Sequence, residues 1–186
     1  MHKTKVATAL AAATVLAAAP LGPPTASSNT PDTRHGPCHF TKHWNSRAER
    51  DPGQARRQLD SVRIGRHRCF DRVVFDIRRN VNVGYVARYV RRVRAEGSGN
   101  PLPVAGRADL SVTVRAPAPS LGPSGRPLFV RADTRGWKSL RAIRFAGTFE
   151  GQSTFAVGVK NRRAFRLFVL HRGPGTRMVL DLAHRR

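Results

Sequence analysis

The sixteen residues from Val62 to Ile77, VRIGRHRCFDRVVFDI, constrain the fold of this chain more than any other segment. Apolar and polar residues alternate on both sides of a short polar connection, and period-two alternation is typical of a half-buried β-strand. Because the connection is short, we expect the two strands to pair antiparallel as a hairpin. The segment also carries Cys69, one of two cysteines in the chain.

Short alternating segments separated by turn residues continue to the end of the chain, and none shows the sustained apolar stripe of a helix. Many short strands without helices are typical of a sandwich or a barrel. We therefore predict an all-β fold, a β-sandwich of about seven to eight mostly antiparallel strands with an irregular N-terminal leader. The further predicted strands are Tyr85–Arg92, Asp109–Arg115, Leu140–Phe145, Thr154–Val159, Phe165–Leu170 and Arg177–Ala183.

Composition divides the chain into three segments. Lys3 and Lys5 precede an apolar run that is too short to span a bilayer, so residues 1–26 are predicted to be a secretory signal peptide. Residues 27–58 are polar and contain proline and glycine, which predicts a flexible leader whose Phe40 and Trp44 dock on the domain. Residues 59–186 are predicted to form the domain. The mature protein would then be secreted, with no transmembrane segment.

Two cysteines in an exported chain favour one disulfide, Cys38–Cys69, which would tether the leader to the second strand of the hairpin. The alternative is a metal site, because His35, His39 and His43 lie close to Cys38 in the sequence. Gly36 and Pro37 interrupt any helix that would align these histidines. We expect the disulfide, with no bound metal and no cofactor.

The charge of the chain is strongly positive: 34 lysines and arginines against 11 acidic residues give a formal net charge of +23. Such a charge attracts polyanions, and arginine binds phosphate and carboxylate with two parallel hydrogen bonds. Export and the scarcity of aromatic residues between the arginines make nucleic acid an unlikely partner. The arginines also fit a G+C-rich genome. Candidates for an anion-binding sheet face are Arg63, Arg72, Arg88, Arg115, Arg144 and Arg166.

His67 and nearby carboxylates invite a catalytic interpretation, since a histidine beside a carboxylate can act as a general base. Asp71 and Asp76, however, are an odd number of residues apart, so on one strand they face opposite sides. We expect Asp71 to cap the turn, and Arg72 and Asp76 to join cross-strand salt bridges. The chain also contains no Gly-x-Ser-x-Gly motif and no zinc-amidase set of ligands. An enzyme is therefore the weaker class.

Several blocks in order resemble the AMIN-like domain of secreted proteins from high-G+C Gram-positive bacteria. They run from about Leu59 to His184 and are VRIGRHRCFDRVVFDI, GY, EGSGNPLPVAGRADLSVTVRAPA, FAGTFEGQSTFAVGVKNRRAFRLFVL and MVLDLAH. The family is related to AMIN domains, β-sandwich modules that bind peptidoglycan or localise their partner in the envelope. The resemblance implies a non-catalytic, cell-wall-associated module.

Two functions follow as hypotheses. In the first, the sandwich uses its arginines to bind an anionic wall component, such as peptidoglycan or an attached polymer, or an envelope protein. In the second, it is a protein-interaction or scaffold module that its charge retains loosely in the anionic wall. An enzyme is a distant third.

Overall fold

The computed structural model describes residues 38, 40, 43–119 and 133–185, and it confirms the all-β sandwich. Residues 1–37, which include the predicted signal peptide, lie outside the described residues. Within the described part of the chain there is no helix, and so none that is long and apolar enough to cross a membrane. The strands described are β1 (Glu49–Asp51), β2 (Leu59–Arg66), β3 (Phe70–Ile77), β4 (Tyr85–Val90), β5 (Ala108–Val114), β6 (Leu140–Phe149), β7 (Gln152–Val159), β8 (Phe165–Arg172) and β9 (Gly175–Ala183).

The strands form two antiparallel sheets. One has four strands in the order β2-β3-β9-β8, and the other has five in the order β1-β4-β5-β7-β6. The predicted hairpin is confirmed as β2 and β3, with Val62 opposite Phe75 and Ile64 opposite Val73. The backbone N–H of His67 donates to the carbonyl of Phe70 at 2.9 Å and closes the turn.

The core lies between the facing sides of the two sheets. Phe75 of β3 and Phe155 of β7 are fully buried, and their ring centroids are 4.9 Å apart. Phe145 of β6 packs against Phe155 at 5.3 Å. Burying each such side chain stabilises the fold by about 2–3 kcal/mol. The alternation of each strand therefore directs one set of residues into this core and the other set outward.

The connection between β4 and β5 folds over the outer face of the five-stranded sheet. Val93 from this connection is buried with Ala146 of β6 and Ala156 of β7. A Cβ atom at Gly158 would lie 2.0 Å from the carbonyl oxygen of Ala105, so only glycine allows this close approach. The connection thus covers part of that face, whereas no comparable segment of the described chain covers the middle of the four-stranded sheet.

The segment before Leu59 is more ordered than the sequence predicts. Sequence analysis gave no strand there, yet β1 pairs with β4, with Glu49 opposite Ala87. Ala55 is buried, and its N–H donates to the carbonyl of Arg115 at 2.8 Å. Three polar residues in a row carry no period-two signal, so this strand forms only because β4 offers a partner.

The same segment caps the edge of the four-stranded sheet at β8. Asn45 exchanges two backbone hydrogen bonds with Phe165, at 3.1 and 2.7 Å. The carboxylate of Glu49 accepts a hydrogen bond from the N–H of Leu167 at 2.9 Å. Desolvation by burial raises the pKa of Glu49, more than the hydrogen bonds from Leu167 and Asn45 and the charge of His43 lower it. These contacts satisfy backbone groups that an open edge strand would leave unpaired.

The predicted disulfide is confirmed: Cys38 is bonded to Cys69, so Cys38 is not free to bind a metal. His35 and His39 lie outside the described residues. The expected docking of the leader aromatics is also confirmed, since the Trp44 ring lies 5.7 Å from Phe70 and the Phe40 ring lies 4.8 Å from Trp44. The disulfide therefore holds these two rings against the turn at the start of β3.

Replacing both cysteines with serine is expected to lower the free energy of unfolding by about 3–4 kcal/mol, because the bond closes a loop of 31 residues. The measurement is urea unfolding followed by tryptophan fluorescence. A reductant should shift the midpoint of the original protein and leave that of the double variant unchanged. Equal midpoints for the two proteins without reductant would contradict the prediction.

Candidate ligand-binding face

The six candidate arginines divide between the two sheets. Arg63, Arg72 and Arg166 lie on β2, β3 and β8, and all three point to the outer face of the four-stranded sheet. The remaining three, Arg88, Arg115 and Arg144, belong to the five-stranded sheet or directly follow its strand β5. Because the sheets pack face to face, their outer surfaces point in opposite directions. The six therefore do not form one surface.

Two of the arginines on the five-stranded sheet hold connections in place. Arg144 donates to the carbonyl of Pro103 at 2.8 Å, which fixes the connection that covers that sheet. Arg115 donates to the carbonyl of Pro52 at 3.2 Å. Arg88 is exposed on the outer face. The candidate site is consequently the outer face of the four-stranded sheet, which we call the arginine face.

The first row of the arginine face consists of Arg72, Asp181 and Arg166, which stand opposite one another on β3, β9 and β8. Arg72 binds both carboxylate oxygens of Asp181, at 2.6 and 2.9 Å. Arg166 binds one of them through two nitrogens, at 3.0 and 2.8 Å. Asp181 is fully buried beneath these two side chains. The strand register thus builds a fixed Arg–Asp–Arg row with a net charge of +1.

A second row consists of Arg63, Asp76 and Arg177. Arg63 binds both oxygens of Asp76, at 2.6 and 2.9 Å, and Arg177 approaches the same carboxylate at 3.4 Å. Ser61 donates to it at 2.9 Å. Burial by itself would raise the pKa of Asp76, but the hydrogen bonds from Arg63 and Ser61 and the charges of Arg63 and Arg177 lower it below its ordinary value. Asp76 is therefore held as a carboxylate between two cations.

Aromatic rings pack around the first row. The Arg166 guanidinium lies 4.6 Å from the Trp44 ring centroid and 5.0 Å from that of Phe168. The Arg72 guanidinium lies 5.0 Å from the Phe70 centroid. Contacts at these distances are cation–π interactions that fix the planar side chains. The face therefore combines preorganised guanidinium groups with half-buried aromatic rings, a combination that suits an anion attached to a ring-shaped or apolar body.

A cleft of about 360 Å³ adjoins the second row. It lies between the end of β3 and the turn that joins β8 and β9, and Asp76 and Arg177 line it together with Arg78 and Arg79. Arg78 is paired with Asp60 at 3.0 Å. The cleft extends the positively charged surface beyond the sheet.

The expectation that Asp71 caps its own turn is wrong. Asp71 is buried, and its carboxylate accepts hydrogen bonds from the backbone N–H groups of Ser139 and Leu140, at 2.7 and 2.9 Å. Its other oxygen lies 2.9 Å from Nε2 of His184, whose Nδ1 lies 3.0 Å from the carbonyl of Arg68. A carboxylate that faces the core can accept hydrogen bonds from segments that are distant in sequence. No local sequence pattern indicates such partners.

The Asp71 network contains a serine, a histidine and an aspartate, but its geometry is not that of an activated nucleophile. The Ser139 hydroxyl donates to the carbonyl of Ala183 at 2.6 Å and is fully buried. Both ring nitrogens of His184 are already engaged, so neither is directed at Ser139. His67, the histidine that sequence analysis considered, stacks on Phe70 at 4.5 Å instead. The network therefore fixes the start of β6 and the end of β9 next to β3.

The substitution Asp181→Asn is expected to lower the free energy of unfolding by about 3–5 kcal/mol, because it leaves two arginines facing each other over a buried neutral group. The measurement is chemical denaturation of the two proteins at pH 7. Asp133→Asn is the matched control, since Asp133 pairs with Arg135 at the exposed surface and its loss should leave the midpoint unchanged. Similar shifts for both variants would contradict this role of Asp181.

The second prediction for this face concerns the stability of the fold at low pH. Because the pKa of Asp76 is lowered in the folded protein, its ion pairs stabilise the fold above the ordinary value of 3.8, and this contribution is lost as the pH falls through the lowered pKa. The difference in unfolding free energy between the original protein and Asp76→Asn should therefore be constant near neutral pH and shrink below about pH 4. Denaturation curves from pH 2 to 7 measure it. A difference that grows on acidification would refute the assignment.

The comparisons with known proteins agree with this architecture. The family model of the AMIN-like domain matches residues 57–184, which is more than half of the chain. No curated protein and no solved structure matches the chain. The match begins just before β2 and ends at His184, so it includes both rows of the arginine face and the Asp71 network. The chain belongs to the AMIN-like domain family.

Proposed function

We propose that this protein is a secreted, non-catalytic module of the cell envelope that binds an anionic wall component through its arginine face. AMIN-like domains are cell-wall-related modules, and the chain carries such a domain over residues 57–184. The observation that carries the proposal is the pair of Arg–Asp–Arg rows on one sheet face, each with a net charge of +1. The ligand we favour is peptidoglycan or a polymer attached to it.

Three properties of the arginine face support this ligand class. Its guanidinium groups are fixed by carboxylates and rings, so binding immobilises few additional rotamers. Arginine matches the planar carboxylates of peptides and the phosphates of wall polymers with paired hydrogen bonds. The half-buried rings of Phe70, Phe168 and Trp44 offer apolar surface beside the charges. An anionic glycan or peptide would meet both kinds of contact at once.

Export is part of the same proposal. Residues 1–26 would direct secretion and be removed, and the Cys38–Cys69 disulfide suits an oxidising compartment outside the cytoplasm. The alternative function is a scaffold module that binds an envelope protein and that its net charge of +23 retains loosely in the wall. The two differ in what happens when salt screens long-range attraction.

The test is a pull-down on purified insoluble peptidoglycan over a salt series, with a variant that removes the second row entirely. Arg63→Gln, Asp76→Asn and Arg177→Gln together leave no unpaired charge and lower the net charge by one. Arg88→Gln, on the opposite sheet, lowers it by the same amount and is the matched control. We expect saturable binding of the original protein that survives about 0.5 M salt, where screening is strong, and a clear loss of binding in the triple variant only.

Two results would overturn the proposal. Binding that vanishes at about 0.5 M salt would favour loose retention by charge. An equal loss in the triple variant and in Arg88→Gln would show that net charge, rather than the arginine face, determines binding.

A further inference from the structure

A second group of cations lies at one end of the sandwich, beyond the first row: Arg66 directly follows Gly65, which is opposite Arg72. Arg66 ends β2, Arg68 lies in the turn that follows, Lys138 precedes β6 and Arg185 follows β9. All four side chains are exposed. We call this group the basic end.

The Asp71 network holds together the three segments that carry these cations. Asp71 binds the N–H groups of Ser139 and Leu140, directly after Lys138. His184, directly before Arg185, contacts the carbonyl of Arg68 through its ring, and its backbone N–H donates to the carbonyl of Cys69 at 2.9 Å. The backbone positions from which the cations extend are therefore fixed relative to one another.

An aromatic ring lies within the basic end. The Arg66 guanidinium is 6.0 Å from the ring centroid of Trp137, which is partly exposed. The backbone carbonyl of Trp137 accepts a hydrogen bond from the Arg141 side chain, and this bond holds the Trp137 backbone in place. The ring thus offers a flat apolar surface next to the cations.

Unlike the arginines of the two rows, three of these cations have no carboxylate partner in the part of the chain that the structure describes. Among the described residues, no carboxylate forms an ion pair with Arg66, Lys138 or Arg185. Asp71, which lies beneath them, is buried and its oxygens are taken by Ser139, Leu140 and His184. Arg66, Lys138 and Arg185 therefore present three positive charges that no carboxylate of the described residues neutralises.

We propose that the basic end is a phosphate-binding site for a polymer in which phosphates alternate with sugar or polyol units. Cations carried by three segments that are held side by side can surround the oxygens of a tetrahedral phosphate, whereas a planar carboxylate needs only one paired arginine. The Trp137 ring would pack against the neighbouring unit of the polymer. This site is distinct from the arginine face and does not depend on the function proposed for it.

The experiment titrates the protein with linear inorganic polyphosphate at a constant 0.15 M ionic strength and follows tryptophan fluorescence. The chain has two tryptophans, so Trp44→Phe is introduced to leave Trp137 as the reporter. The binding variant is Arg66→Gln, Lys138→Gln and Arg185→Gln combined. The matched control is Arg50→Gln, Arg56→Gln and Arg57→Gln, which removes the same charge from exposed positions. Arg56 and Arg57 precede β2, whose two ends are about 23 Å apart, and Arg50 lies on β1, at the opposite edge of its sheet from β6.

We expect polyphosphate to change Trp137 fluorescence and the binding variant to bind it about tenfold more weakly. The control should change the affinity by less than about threefold, because each of its three arginines is exposed and contributes only modestly to binding at a distance. Poly-glutamate of similar length should bind more weakly than polyphosphate. Equal weakening of both variants, an equal affinity for poly-glutamate, or binding to phosphatidylglycerol vesicles without binding to polyphosphate would overturn the proposal. The triple variant of the second row leaves the basic end intact, and the binding variant used here leaves both rows intact, so failure of either proposal can be told from failure of the other.

Discussion

The alternation of strand β3 is the constraint on which the rest of the structure depends. Its inward residues, including Val73 and Phe75, build the core, while Arg72 and Asp76 point outward and build the two rows. Asp71, also inward, anchors the ends of two other strands. A shift of register by one residue would exchange these sets and place both charged residues in the core. The hydrophobic core, the arginine face and the basic end therefore all depend on β3 and on its pairing with β2 and β9.

The arginines of the two rows differ physically from those of the basic end. Those of the rows lie over Asp76 or Asp181, which offset part of their charge and hold them in one geometry. Those of the basic end are exposed side chains. A preorganised guanidinium is suited to a ligand of defined shape, and a cluster of exposed cations is suited to a flexible polyanion. A wall polymer offers both kinds of target.

The N-terminal segment packs on the arginine face and contributes residues to it. Cys38 fixes the segment at the turn before β3, and Trp44 then packs on the Arg166 guanidinium. Asn45 and Glu49 close the edge of β8 beside it. Since the family match begins only at residue 57, this chain supplies part of its candidate face from outside the matched region.

Much of the fold was predictable because its signals are local. Alternation in the Val62–Ile77 segment predicted the hairpin and its outward residues, and two cysteines in a chain predicted to be exported favoured the disulfide. β1 was missed because three polar residues carry no periodicity and pair only where β4 presents an edge. Local alternation was enough to predict which arginines point away from the core. The packing of the two sheets places these arginines on two opposite faces. It also brings Asp181 between two of them and Asp71 next to His184. Local patterns could not predict these contacts, because they join residues more than a hundred positions apart or on different sheets.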